Sequence, residues 1–571
     1  MTSPFRSKLG IAAAVFVVTA AVFASARSFG FIRLDDAFYV FQNKHIAGGL
    51  DARAVRWALT DVGYAENWHP LTWVSHAADV SVCRRFGWPL EMYGRAAKFM
   101  HAENVMWHAA NAVLLYLVIL ALMGADGGRR FHRNRPTGAV VVAAGCALLW
   151  AVHPLRCEVV CWVSERKELV SVCFMLMTMI LYCGAPRTSR PTGRILSLFT
   201  FTFSLLAKPV AVSLPAVLFA YDWVIARRPF GRAFLRTLPF VLLSAGASAL
   251  TLLAQDYAIR VGAQIDWWTR LTLAVEAPVV YLRQTFWPFG LSLSYPLPAG
   301  FSVETALGIL LLAAMPAACV WFLVRANAVN RILVFSVAWL YVGLVPMLGL
   351  VKVGAEPHSD RYTYWVGCGL AAVAALAARE TARWWRPRAA QAGRVGLGLI
   401  AALGFLAFVR TQFWRDSATI FADAVATAHT ENLSFLLADE YSHRGPEGEA
   451  RGEEVLRDVL SVKHTGRARA NLALYLAQKQ KLPPVLKTFG SDGPASAFDE
   501  ARLLAGYVLE DNTGGGEAAL AALAWADMRD GRYEEAVKEM EEALANGYEE
   551  QRYLFDIEDW RKKRDEKKRE D

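Results

Sequence analysis

Along the first 410 positions of this 571-residue chain, apolar residues are gathered into runs rather than scattered. Between Leu9 and Val409 the runs are roughly 15 to 22 residues long, the length that crosses a hydrocarbon core about 30 Å thick at about 1.5 Å per residue. They predict spans near 11–24, 103–124, 137–152, 168–184, 194–207, 210–226, 236–255, 303–324, 331–350, 362–378 and 394–411. A further apolar stretch, Trp267 to Gly290, is broken by Arg270, Glu276, Pro278, Arg283 and Pro288 and reads as re-entrant or interfacial. Near Arg415 the pattern changes to charged, amphipathic helical periodicity. The fold class predicted is all-α: a polytopic membrane helix bundle of about eleven spans over 1–411, then a soluble helical domain over 412–571.

Charge divides at the same place. The first 411 residues carry 39 Lys+Arg against 20 Asp+Glu, the remainder 22 against 32. The net excess of +9 therefore carries no indication of nucleic acid. In a membrane domain basic residues report topology. With 267–290 left out of the count, one side receives Arg6 and Lys8, then Arg129/Arg130/Arg133/Arg135, Arg187/Arg190/Arg194, Arg227/Arg228/Arg232/Arg236, Arg325/Arg331 and Arg379/Arg383/Arg386/Arg388/Arg394. Asp126 and Glu380 are the acids among them. Counting 267–290 as a span would export the last two clusters. The expected topology is N-terminus in, with the 32–102 loop and the acidic tail outside. The first run ends in Ala24-Ser25-Ala26 and also reads as a cleavable signal peptide, but either reading sends the next segment outside. All eight cysteines precede the tail, mostly in apolar runs, as expected of buried, inert thiols.

Ionisable groups near membrane spans are costly and mark candidate sites. Asp35-Asp36 follow the first span, and His69 lies in the first outer loop. His101, Asn104, His108 and Asn111 form one polar stripe on the second span, a pattern suited to interhelical hydrogen bonding. His153, Glu158, Glu165, Arg166 and Lys167 fill the next outer connection, Lys208 a tight outer turn, and Glu356 to Tyr362, with Asp360 and Arg361, the loop before the tenth span. The arginine count that set the topology used none of these residues, yet all fall on the outer side. They predict one polar cavity at that boundary. Adjacent carboxylates in apolar surroundings raise at least one pKa, which suits Asp35 or Asp36 to general-base work or to holding a divalent cation. Arg166, Lys167, Lys208 and Arg361 suit a phosphate at headgroup level, and Glu158, Glu165 and Asp360 can hold some of them. The plain alternative is a set of internal ion pairs locking helices together.

At these residues the sequence resembles the transmembrane, tetratricopeptide-bearing O-mannosyltransferases and their bacterial relatives. The resemblance rests on Leu34-Asp35-Asp36-Ala37-Phe38-Tyr39-Val40, Asn67-Trp68-His69-Pro70-Leu71-Thr72-Trp73, His101 with Asn104, and His153-Pro154 with Glu158, Trp162-Val163 and Ser164-Glu165-Arg166-Lys167. Lys208-Pro209, Trp287-Pro288 with Tyr295-Pro296, and Asp360-Arg361-Tyr362-Thr363-Tyr364 complete it. In the tail, Ala524-Trp525 through Asp530 to Ala536 and on to Leu544 has the spacing of one tetratricopeptide helix pair, with a frayed end expected after Trp560. Trp365 and the short repeat array depart from the pattern.

The resemblance implies an integral-membrane glycosyltransferase of the GT-C type. It would move a mannose-like sugar from a polyprenyl-phosphate donor to a hydroxyl acceptor, protein Ser/Thr or a glycan, on the periplasmic or extracytoplasmic face of an inner membrane. Asp35 or Asp36 would be the base, with Arg166, Lys167, Lys208 and Arg361 neutralising the lipid phosphate. His69, His101 and His153 would support the site, and the repeats would receive protein partners. Two other classes compete: a non-catalytic membrane scaffold, for which the two aspartates are dispensable, and a lipid or glycan transporter, which would spread its charges toward the midplane.

Overall fold

The computed structural model describes residues 4–123, 137–184, 192–255, 259, 265–297, 300–325, 327–350, 358–384, 389–428, 431–478, 497–511, 515–529, 532–546 and 557–570. Asp126, Arg129, Arg130, Arg133, Arg135, Arg187, Arg190, Glu356, Arg386, Arg388 and Asp530 lie outside these residues. Regular structure among the described residues is entirely helical, with no strand. They divide into two compact units, Met1–Asp416 and Ser417–Asp571.

The first unit is a multi-pass membrane helix bundle with fewer full spans than the hydropathy runs predict. Among the described residues six helices are long and apolar enough to cross a bilayer: Arg95–Met123, Val163–Gly184, Phe230–Ala254, Val303–Val324, Val329–Met347 and Ala390–Trp414. The bent pair Gly138–Ala151 and Pro154–Cys161, which turns by 62°, makes seven if counted as one span. The expectation of eleven is corrected mainly by length. Leu9–Val22, Thr192–Ala207 and Pro209–Ile225 are apolar but fall short of the roughly 20 residues that match the hydrocarbon thickness.

Arg95–Met123 runs through the centre. It packs against the first helix (Pro4–Val22), Thr137–Ala151 and Arg166–Gly184, and its buried Ala112, Leu115 and Ile119 enter the main apolar core. Its polar stripe is buried too, and each residue makes at least one hydrogen bond to a neighbour. His101 bonds the Gly30 carbonyl (2.9 Å) and Asn104 donates to the Trp162 carbonyl (2.9 Å). His108 bonds the Tyr364 hydroxyl (2.8 Å) and the Ala151 carbonyl (2.9 Å), and Asn111 donates to the Leu169 carbonyl (2.9 Å). This is the interhelical glue expected of that stripe.

The 32–102 segment is more than a loop. Asp51 caps the helix Ala52–Thr60 through the Ala54 N–H (2.7 Å), and Pro70, pre-set for a first helical position, opens Pro70–Arg85. Both helices fold over an aromatic cluster of Tyr39, Trp57, Tyr64 and Trp73, with ring centroids 4.2 to 5.6 Å apart where they touch. The polar end of the bundle therefore has its own packed cover. At the other end of Arg166–Gly184, buried Asp222 accepts hydrogen bonds from Tyr182 (2.8 Å), Arg236 (2.6 Å) and Arg228 (3.2 Å). Two arginines of one predicted inner cluster are thus internally paired.

In the second unit, successive helices pack as neighbours, among them Gly516–Arg529 on Tyr533–Ala545. Ala524, Ala536 and Ala543 are fully buried, which lets the backbones approach closely. The expected frayed end is instead the helix Ile557–Glu570. Trp560 packs edge-on against Trp525 at 5.0 Å, and Arg561 and Lys568 pair with Glu541 (2.9 Å) and Glu534 (2.8 Å).

Candidate active site

Four segments distant in sequence meet at one end of the first unit: 35–39, 153–168, Lys208 and 358–361. Helix geometry divides the predicted cation run, because successive residues at the start of Arg166–Gly184 point about 100° apart. Arg166 turns inward and is fully buried. It donates to Asp79 (3.0 Å), Glu103 (2.7 Å), Ser75 (3.2 Å), the Asn104 side chain (2.5 Å) and the Met100 carbonyl (2.9 Å). Each of its three nitrogens has an acceptor, and two of the acceptors are carboxylates, so Arg166 ties Pro70–Arg85 to Arg95–Met123.

Lys167 turns the other way and meets Asp35 at 2.9 Å. Its ammonium also lies 3.3 Å from Glu165 and 4.5 Å above the Tyr39 ring. Lys208 follows the end of Thr192–Ala207 in an extended conformation, with Pro209 directly after it. Ser171 and Ser204 bond each other at 3.2 Å, holding the two helices close, and Ser171 donates to the Lys208 carbonyl (3.3 Å). Lys208 Nζ thereby sits 3.0 Å from Glu165 and 3.1 Å from Glu168. Arg361 lies 3.8 Å from Glu165 and pairs with Glu158, which also accepts the Arg361 backbone N–H (2.8 Å). Glu165 is therefore the hub of three cations, Lys167, Lys208 and Arg361, drawn from three separate helix ends.

The two aspartates have opposite environments. Asp35 is 41% exposed at the edge of this cluster. Asp36 is completely buried, and its two oxygens accept the backbone N–H groups of Ile32 and Ser164, both at 2.8 Å. Burial pushes its carboxyl up to about 7 against the lowering effect of those two bonds. Asp36 thus joins the chain after the first helix to the turn that carries Glu165. Asp36 uses each oxygen for a backbone N–H, which leaves Asp35 as the more open carboxylate of the pair. Among the described residues no group of three or more His, Cys, Asp or Glu is arranged to hold a metal ion.

The remaining predicted residues support this frame. His69 Nδ1 and the Tyr39 hydroxyl are hydrogen-bonded at 2.9 Å, and burial holds the imidazole well below its ordinary pKa. His153 bonds the Thr285 carbonyl (2.9 Å) and accepts the Leu155 N–H (3.2 Å). Asp360 accepts from the Tyr295 hydroxyl (2.6 Å), and burial together with the Glu158 charge raises its carboxyl pKa. Three contributors have no role in the sequence reading. Tyr39 faces Lys167, the Trp162 ring lies beneath Lys167 and Arg361 at 5.9 and 5.8 Å, and buried Arg156 donates to the Thr363 carbonyl (2.9 Å) and hydroxyl (2.8 Å) beside Arg361. The signal for Tyr39 was its place in the motif, three residues after Asp36.

The arrangement presents an accessible carboxylate beside a fixed group of cations whose counter-charge is shared through Glu165. Such a site can take a proton from a hydroxyl and receive an anionic group that gains charge.

No protein-family model matches the chain. It is 33% identical over 116 residues to human protein O-mannosyl-transferase TMTC4, covering 20% of this chain and 15% of that protein. Over 199 residues it is 27% identical to mouse protein O-mannosyl-transferase TMTC1, 33% of this chain and 19% of that protein. The human protein of the same name is 30% identical over 126 residues, 20% and 14% of the two chains. The matched stretches span less than a fifth of these curated relatives.

Proposed function

We propose that the chain is an integral-membrane glycosyltransferase that moves a mannose-like sugar from a polyprenyl-phosphate donor to a hydroxyl acceptor, a protein Ser/Thr or a glycan, at the non-cytoplasmic face. The observation that carries this reading is the Lys167, Lys208 and Arg361 group around Glu165, bordered by exposed Asp35. The similarity to proteins named O-mannosyl-transferases supports the same class of reaction.

The chemistry follows from charge. When the acceptor oxygen attacks the anomeric carbon, the bond from that carbon to the phosphate oxygen breaks, and the phosphate leaves with one more negative charge than it had in the donor. Cations fixed beside that oxygen stabilise the transition state more than the ground state, which is the condition for raising kcat. Asp35 takes the acceptor proton, and the attack opposite the phosphate inverts the anomeric centre. Arg166 and Asp36 hold the frame, and Lys167 joins base and cations through Asp35. The helical tail is a surface for the protein acceptor or its escort.

The test is transfer by the purified full chain in proteoliposomes, supplied with polyprenyl-phosphate sugars and a Ser/Thr peptide pool, with products read by mass spectrometry. Sugar transfer that depends on the lipid-linked donor supports the proposal. Donor left intact for every sugar and acceptor class overturns it.

A further inference from the structure

Trp162 stands at the corner between Cys157–Cys161 and the turn Val163–Glu165, and its main chain is fully engaged. Its N–H donates to the Glu158 carbonyl (3.3 Å), and its carbonyl accepts from the Glu165 N–H (3.1 Å) and the Asn104 side chain (2.9 Å). The ring packs against Trp414 with centroids 5.9 Å apart, while Lys167 and Arg361 both lie over it within about 6 Å. The indole is held from several sides and 5% exposed, yet its Nε1–H has no hydrogen-bond partner among the described residues. A buried donor left unmatched is costly, and most such groups in folded proteins are satisfied. This one belongs to a rigid ring shared by two of the three site cations.

We infer that Trp162 is an anion-recognition residue of this site, donating its indole N–H to a phosphate oxygen of the ligand that Lys167 and Arg361 attract. The inference rests on the glycosyltransferase reading for the source of that phosphate and adds a specific neutral donor to it. A neutral N–H complements the cations in one respect. The ammonium and guanidinium groups are already shared with Glu165, Glu158 and Asp35, so they set charge, whereas the indole N–H is unspent and fixes position. The chemistry recognised is a phosphate oxygen, carried by a lipid phosphate or by free phosphate.

The experiment is equilibrium binding to the full chain in nanodiscs, with polyprenyl phosphate in one arm and inorganic phosphate in the other. Trp162→Phe keeps an aromatic ring under the cations and removes the N–H. It is expected to weaken polyprenyl-phosphate binding about 10- to 100-fold, the worth of one hydrogen bond to a charged group. Trp162→His, a smaller ring that still carries an N–H, should lose less, and Trp414→Phe should bind as the parent does. Preferential weakening of the polyprenyl-phosphate arm assigns the source to the lipid, and equal weakening in both arms assigns it to phosphate alone. Parental affinity in Trp162→Phe, or equal losses in Trp162→Phe, Trp162→His and Trp414→Phe, overturns the role of the indole N–H while leaving the glycosyltransferase reading intact. Failure of the parent to bind polyprenyl phosphate overturns both.

Discussion

The Asp35 carboxylate accepts a hydrogen bond from the Lys167 ammonium at 2.9 Å, across 132 positions of sequence, and through it the exposed carboxylate is joined to the cation group around Glu165. Its neighbour Asp36 has no such contact and is bonded to main-chain N–H groups. The two residues of one dipeptide thus have separate environments: Asp36 is bonded into the fold, and Asp35 is open beside the cation group.

Asp36→Asn should act on stability. An amide in place of the carboxylate sets its own N–H against one of the two backbone N–H groups, a loss of about 1 to 3 kcal/mol for a buried unsatisfied donor. The effect should also depend on pH. With a folded pKa of about 7 against an unfolded value of about 3.9, the native state binds the proton more tightly between those limits. The parental carboxyl therefore contributes most below pH 4, and that contribution is lost as pH rises through 7. The difference in Tm between parent and Asp36→Asn in detergent should shrink from pH 5 to pH 8. A difference that grows over the same range would contradict this.

Arg166→Ala should also impair folding, and more severely. Removing a fully buried guanidinium leaves Asp79 and Glu103 without their partner, a loss of about 3 to 5 kcal/mol for a broken buried pair. The expected result is poor insertion or an early-melting, polydisperse protein. A well-folded Arg166→Ala chain with weakened donor binding alone would instead return Arg166 to the phosphate contacts.

That the site charges gather at one end of the bundle was legible in the sequence, because buried charge is costly and the candidates cluster where apolar runs end. Which way each charge turns was not. Arg166 and Lys167 are adjacent, and helix geometry, set by where the helix begins, sends one into the frame and the other to Asp35. Asp36 precedes the π-helical turn Ala37–Phe41, whose geometry hydropathy does not encode. The span count failed for a related reason. Runs such as Thr192–Ala207 are apolar enough for a membrane but are cut short by Lys208-Pro209, the feature that delivers Lys208 to the site. The role of Arg156 escaped because its partner, Thr363, lies 207 positions away.

Arg361→Ala should weaken the lipid-linked donor by about 2 to 5 kcal/mol, since a charge contact in a desolvated site is lost and Glu158 is left unpaired. Arg361→Lys keeps the charge and should lose less. Titration of each variant with polyprenyl phosphate, alongside its melting curve, checks this. Unchanged affinity in a stable Arg361→Ala protein would leave the cation as a helix lock only.

The most direct test is single-turnover sugar transfer from a polyprenyl-phosphate donor by the Asp35→Asn chain, with donor binding measured on the same preparation. Removing a general base while keeping its shape should lower the rate about 10²- to 10⁴-fold and leave donor affinity close to the parent's. Transfer at the parental rate by Asp35→Asn, in a protein that binds donor normally, would contradict the account.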